Sequence, residues 1–177
     1  MTMRILSVAV LSAAVLLAAG CGSSKNAATT TTMSTVDWMN GVCTAASTYR
    51  TSVTDAAKSF TSSPSKASLQ DAADQVKSAT DTFASTTKAL GKPNTSSGQQ
   101  AKATLDTLTA GLNKDASTVE DAAGKGLIAG LPVITATLTT AKTQVTTAFN
   151  ELKGLDPKGE LGDAFSQAAS CTALTSS

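Results

Sequence analysis

The groups in this 177-residue chain that could carry chemistry are three cysteines, 13 carboxylates and a large store of hydroxyls; histidine is absent. Without imidazole, most catalytic triads, most zinc sites and any switch titrating near neutral pH drop out. Asp71 and Asp74 lie three apart, and Glu120 adjoins Asp121. Metal or general-acid work would need further groups converging on such pairs from other elements. Di-iron helical bundles supply theirs as Glu-x-x-His, which this sequence cannot form. These carboxylates are therefore expected on solvated faces, paired with neighbours such as Lys77 and Lys125. A hydroxyl nucleophile needs a base, and Lys58, Lys66, Lys77 and Lys88 fall where solvent-facing residues are expected. Gly124, Gly126 and Gly130 have no preceding strand and no GK[ST] ending, so they read as a hinge or tight turn rather than a phosphate loop. The expectation is a protein that is not an enzyme and takes no cofactor or metal.

The cysteines are more informative. Cys21 closes the run LSAAVLLAAGC, after Arg4 and an apolar stretch from Ile5 to Ala19, and the polar run GSSKNAATTTT follows it. A small-residue stop (Ala18, Ala19, Gly20) after a short apolar core is the processing pattern of an exported chain. A cysteine directly after that stop is the pattern of a bacterial lipoprotein, whose thiol receives a diacylglyceryl group before cleavage. Ala18 stands where Leu is common, with Leu17 one step further out. Plain secretory cleavage and a retained anchor are the rival readings. The apolar stretch, interrupted by Ser7 and Ser12, is shorter than the roughly 20 residues a spanning helix needs. Two acyl chains give stable anchoring at about 0.8 kcal/mol per buried CH₂. Residues 1–20 thus read as a lipoprotein signal peptide, and the expected location is the outer face of the cytoplasmic membrane.

Processing would leave 157 residues with 13 basic and 13 acidic groups, a neutral chain. No basic patch is apparent, so no nucleic-acid partner is expected. The partners expected are membrane lipid through acylated Cys21 and, unidentified, an envelope protein or an apolar ligand. The whole sequence holds 50 Ser and Thr, 31 Ala and only 3% aromatics, so its surface is built from hydroxyls and its core is thin. Three cysteines would normally leave a loose thiol. With Cys21 lipidated, Cys43 and Cys171 remain to pair, which an oxidising compartment favours, the alternative being two free buried thiols.

Residues 21–35 read as the lipidated cysteine and a Ser/Thr-rich tether spanning about 20 Å. Residues 36–177 read as one helical domain. A first helix carries Trp38, Val42, Ala45 or Ala46, Tyr49, Val53, Ala56 and Phe60 at helical spacing, with Ser34 and Asp37 resembling a capping box. Ser63 is the expected cap of a second helix, with Pro64 at its first position. Its Leu69, Val76, Phe83 and Leu90 are seven apart, which is bundle spacing. A third helix runs from about Ser97 to Gly124. A fourth is expected to start near Pro132, with Ile134, Leu138, Ala141, Val145, Phe149 and Leu152 inward and Thr135, Thr139, Thr143 and Thr147 elsewhere. A short fifth helix carries Leu161, Phe165, Ala168 and Cys171. The fold class is all-α, an antiparallel four-helix bundle with an additional short C-terminal helix.

The segments VDWMNGVC (36–43), GKPNTSSGQQAK (91–102), TLTTAKTQV (137–145) and GELGDAFSQAASC (159–171) resemble a group of small secreted proteins and lipoproteins of actinobacteria. The likeness covers nearly all of Val36 to Leu174. It implies an exported helical bundle, and its opening Trp38-to-Cys43 with closing Cys171 agrees with the disulfide inferred above. It implies no activity and no catalytic residue.

Trp38 reads as core packing beside Cys43. The apolar connection around Leu127, Ile128 and Leu131 is expected to bury across the bundle end; left exposed, it would be a candidate interaction surface. The functional expectation is a membrane-anchored extracytoplasmic lipoprotein, non-catalytic, acting as a binding or scaffold module of the cell envelope. The alternative is a carrier of a lipid or other apolar ligand between the helices, which would call for an enclosed apolar pocket.

Overall fold

The computed structural model describes residues 33–175, which are helical wherever they are regular. Cys21 and the segment before it lie outside the described residues. Helices α1 (Thr35–Ser62), α2 (Lys66–Leu90), α3 (Gly98–Gly124) and α4 (Leu127–Leu155) are long; α5 (Glu160–Gln167) and α6 (Ala169–Thr175) are short. Helix α1 packs on α2, α2 on α3 and α3 on α4, while α5 and α6 lie against α1. No described helix is long and apolar enough to cross a membrane.

The apolar stripes read from the sequence form the core. Trp38, Val42, Tyr49, Val53 and Phe60 of α1 are buried, as are Leu69, Val76 and Phe83 of α2, while Leu90 is half-buried. On α4 the inward set runs from Ile134 to Leu152. Among the described residues, fourteen of the 36 buried apolar ones are alanines, so each helix contributes little area and the backbones must approach closely. Thr80, Thr87 and Thr137 are buried too, and each donates its hydroxyl to the carbonyl four residues back, at 2.8–2.9 Å. That local bond removes the penalty of a buried unpaired hydroxyl.

Several boundaries differ from expectation, each for a local reason. Ser34 caps α1 and accepts the Asp37 N–H at 3.0 Å, but the Asp37 carboxylate accepts from the Ser34 hydroxyl instead of reaching back to the backbone. The α2 cap is Ser65, not Ser63. Ser65 and Ser68 exchange reciprocal bonds of 3.0 and 2.9 Å, a complete capping box that leaves Pro64 outside the helix. Helix α4 begins at Leu127 rather than near Pro132. Gly126, at φ +82°, reverses the chain within two residues, and Gly130 lies so close to the Ala122 carbonyl that a Cβ would collide with it. Pro132 then sits inside α4 on an exposed face, where the carbonyl it leaves free can meet water.

The expected fifth helix is two helices. Ala168 is extended (φ −74°, ψ 104°), and this break turns α6 against α1. There Cys171 bonds Cys43 with Cα atoms 5.0 Å apart, across 128 residues of sequence. The Ser170 hydroxyl lies 2.9 Å from Asn40 Oδ1 and 3.0 Å from the Asn40 carbonyl, and Arg50 donates to the Leu174 carbonyl at 3.0 Å.

Closing so long a loop stabilises by about 5 kcal/mol in the chain-entropy model. Denaturant unfolding should therefore show the Cys43→Ala, Cys171→Ala double variant less stable by roughly that amount. Equal unfolding midpoints would show that the bond adds nothing.

Candidate functional site

Three places in the fold combine exposure or buried polarity with definite geometry. The first is the C-terminal staple. Cys43 and Cys171 are wholly buried and bonded to each other, so neither thiol is available for redox or nucleophilic chemistry in the folded, oxidised chain. Trp38 is buried nearby in sequence and donates its indole N–H to the Gly91 carbonyl at 3.1 Å. This ties the first turn of α1 to the α2–α3 turn, a bond that its reading as plain core packing did not anticipate.

The second is the α3–α4 tip. The sequence expectation of burial fails at its centre. Leu127 and Leu131 are half-buried and pack against the core, but Ile128 is 97% exposed. Val133 is also exposed, and residues 126–141 contain no charged side chain. The helix starts five residues early, so its first turn projects Leu127 and Leu131 inward and leaves Ile128, about 100° round the helix from Leu127, facing solvent.

The third is a polar seam that ends in a surface groove. Tyr49 of α1, buried beside Thr80 of α2, has a hydroxyl with no properly formed hydrogen bond, while the Thr80 hydroxyl donates to the Val76 carbonyl. Burial pushes the phenol up to about 12; Thr80 pulls it back slightly and Asp115 of α3 adds a little. Asp115 is itself raised by burial, offset by Lys114 and by Gln144, whose Nε2 donates to the carboxylate at 3.0 Å. That bond orients the amide so that its Oε1 lies over Gly111, where any Cβ would collide with it.

Around Gly111, α3 and α4 line a groove of about 470 Å³ that is open to solvent. Leu108 and Ala148 lie along it, with Thr104 and Thr107 on the α3 side and Thr139, Thr140, Thr143 and Thr147 on the α4 side. The hydroxyls of Thr139, Thr140 and Thr143 each donate to the carbonyl four residues back, at 3.0–3.1 Å. Their donors are thus satisfied within the helix. Reading α4 as an inward stripe with threonines elsewhere located this surface, but not the groove, nor Gly111, Asp115 and Gln144. The available signals were the charge-free run and a lone glycine in mid-helix.

The carboxylates singled out from the sequence do not converge. Asp71, Asp74, Glu120 and Asp121 are exposed, and Lys77 pairs at 2.9 Å with Asp81, one turn further along its own helix, rather than with Asp74. Among the described residues no group of three or more His, Cys, Asp or Glu side chains could hold a metal ion. No family model matches the chain, and no curated protein or solved structure matches it significantly.

Tyr49 is the sole tyrosine, so its titration can be followed directly by tyrosinate absorbance. The unfolded chain releases this proton near 10 and the folded chain holds it to about 12. Stability from this group is therefore complete below 10 and declines as pH rises between these values. Tyr49→Phe should abolish that part of the alkaline decline. At neutral pH, by removing a buried unpartnered hydroxyl, it should leave the protein unchanged or stabilise it by about 1 kcal/mol. A loss of stability at neutral pH would show that the hydroxyl is well bonded.

Proposed function

We propose that this protein is a lipid-anchored extracytoplasmic binding module, held by acylated Cys21 and engaging an envelope partner through the α3–α4 tip. The anchor reading rests on the run from Ile5 to Cys21 and on the polar tether after it. In the same reading, the chain belongs with the small exported actinobacterial proteins that its segments resemble. The observation that supports an interaction role is Ile128. A large aliphatic side chain at 97% exposure, within a charge-free run that also exposes Val133 five residues on, leaves apolar surface uncovered. Single exposed apolar residues are ordinary, but a contiguous apolar area is the mark of a contact surface. Burying Ile128 against a partner would supply about 1.5–3 kcal/mol, enough to make it the centre of a small interface. From Ile128 to Val133 the tip offers hydrophobic contact with no ionisable side chain, Lys125 being the charge that adjoins it at the end of α3, and this suits recognition.

Two measurements test this. Cys21→Ser should abolish incorporation of labelled fatty acid and release the protein from the membrane fraction; unchanged lipid labelling overturns the anchor. A photo-crosslinking residue at position 128, on intact cells, should capture a discrete partner that the same residue at Asp71 does not. Ile128→Glu should weaken that partner's binding by about tenfold or more. Equal capture from both positions would overturn the tip as the contact surface.

A further inference from the structure

The groove between α3 and α4 has a polarity that selects its occupant. Its one charged lining residue is Glu151, and no lysine or arginine lines it. Three of its threonines have spent their donors on their own helix, which leaves methyl groups and acceptor oxygens facing outward. Gln144 has one amide hydrogen committed to Asp115, an arrangement that turns its carbonyl oxygen toward Gly111 at the groove. Thr104, Thr107 and Thr147 keep hydroxyls that can act either way. The fixed polar groups are thus acceptors set in apolar walls, and the one formal charge is negative. At about 470 Å³ the space falls within the range of small-molecule sites.

We propose that this groove binds a small amphiphile with an apolar chain and a head group that donates hydrogen bonds and carries no negative charge, as an alcohol or ammonium does. The chain lies on Leu108, Ala148 and the threonine methyls, and the head donates to the Gln144 carbonyl or, at the other end, to Glu151. A carboxylate or phosphate head would meet acceptors and a like charge, and is disfavoured. Asp115 acts as a positioning residue, holding the Gln144 amide in the orientation that presents its oxygen. This takes up the carrier alternative, but on an open surface groove instead of an enclosed interior, and it does not depend on the α3–α4 tip.

The test uses the lipidated protein in phospholipid nanodiscs and matched octyl probes bearing a diazirine: an alcohol, an ammonium and a carboxylate. On irradiation, alcohol and ammonium adducts should map to the groove-lining segments of α3 and α4 and be displaced by unlabelled octanol. The carboxylate probe should label there at least about tenfold less, the equivalent of one good hydrogen bond. Thr143→Trp, at an exposed position, fills the groove and should abolish labelling; Thr107→Trp does the same from α3, should the first variant lose helicity. Gln144→Leu should reduce the preference for alcohol over carboxylate, while Ile128→Glu should leave groove labelling unchanged. Labelling spread evenly over all helices, equal labelling by the carboxylate, or labelling that survives both tryptophan variants would each overturn the proposal.

Discussion

The bond between Cys43 and Cys171 fixes what the rest of the packing has to achieve. Alanine supplies much of the core, so helix–helix contacts are close but individually weak. Two short C-terminal helices, of eight and seven residues, are well below the length at which a helix holds itself in water. They persist because α6 is covalently joined to α1 and because Asn40 and Arg50 bond Ser170 and the Leu174 carbonyl across the same seam. Leu161, Ala164 and Phe165 then complete the core from α5. The extended residue Ala168 is the geometric consequence: a continuous helix would carry Cys171 on along the α5 axis, whereas the break lets α6 turn onto α1.

Threonine gives this surface a character that composition alone misstates. Counted as polar, the threonines of α4 suggest a hydrated face. Yet Thr135, Thr139, Thr140, Thr143 and Thr146 all donate to carbonyls of their own helix. Such back-bonding spends the donor and leaves the methyl exposed. With no charge between Lys125 and Lys142, α4 presents a face that is apolar in shape and acceptor-rich in hydrogen bonding. Helices α1, α2 and α3 instead carry exposed ion pairs one turn apart, Asp55 with Lys58, Lys77 with Asp81, and Lys102 with Asp106. Exposed pairs of this kind add little stability, but they keep those faces hydrated and leave α4 as the distinctive one.

How much of this was legible in the sequence depends on the range of the cause. Helical periodicity identified the buried stripes of α1 to α4, because amphipathic spacing is a local signal. Cysteine parity anticipated the staple. Boundaries were less legible because competing caps sit one or two residues apart: Ser63 and Ser65 are chemically alike, and only Ser68 at the right offset decides for Ser65. At Pro132 the sequence rule of proline near a helix start was outweighed by Gly126 and Gly130, whose effect depends on the position of Ala122 in another helix. The Asp115–Gln144 bond and the opening over Gly111 join residues 29 or more apart and had no local signature.

The distribution of restraints bears on how an anchored module would work. In the proposed reading a tether enters the domain at Thr35, so any pull from the membrane is delivered to the first turns of α1. Those turns are where the structure is most heavily tied. Trp38 bonds the Gly91 carbonyl, Asn40 bonds Ser170, and Cys43 bonds Cys171, all within nine residues of the helix start. Nothing comparable braces the start of α4, which has no side-chain cap and relies on glycine geometry and on half-buried Leu127 and Leu131. Local opening follows the distribution of such ties. Force on the anchor would thus be absorbed at α1, while the uncharged end of α4 keeps the freedom to adjust to whatever apolar surface it meets.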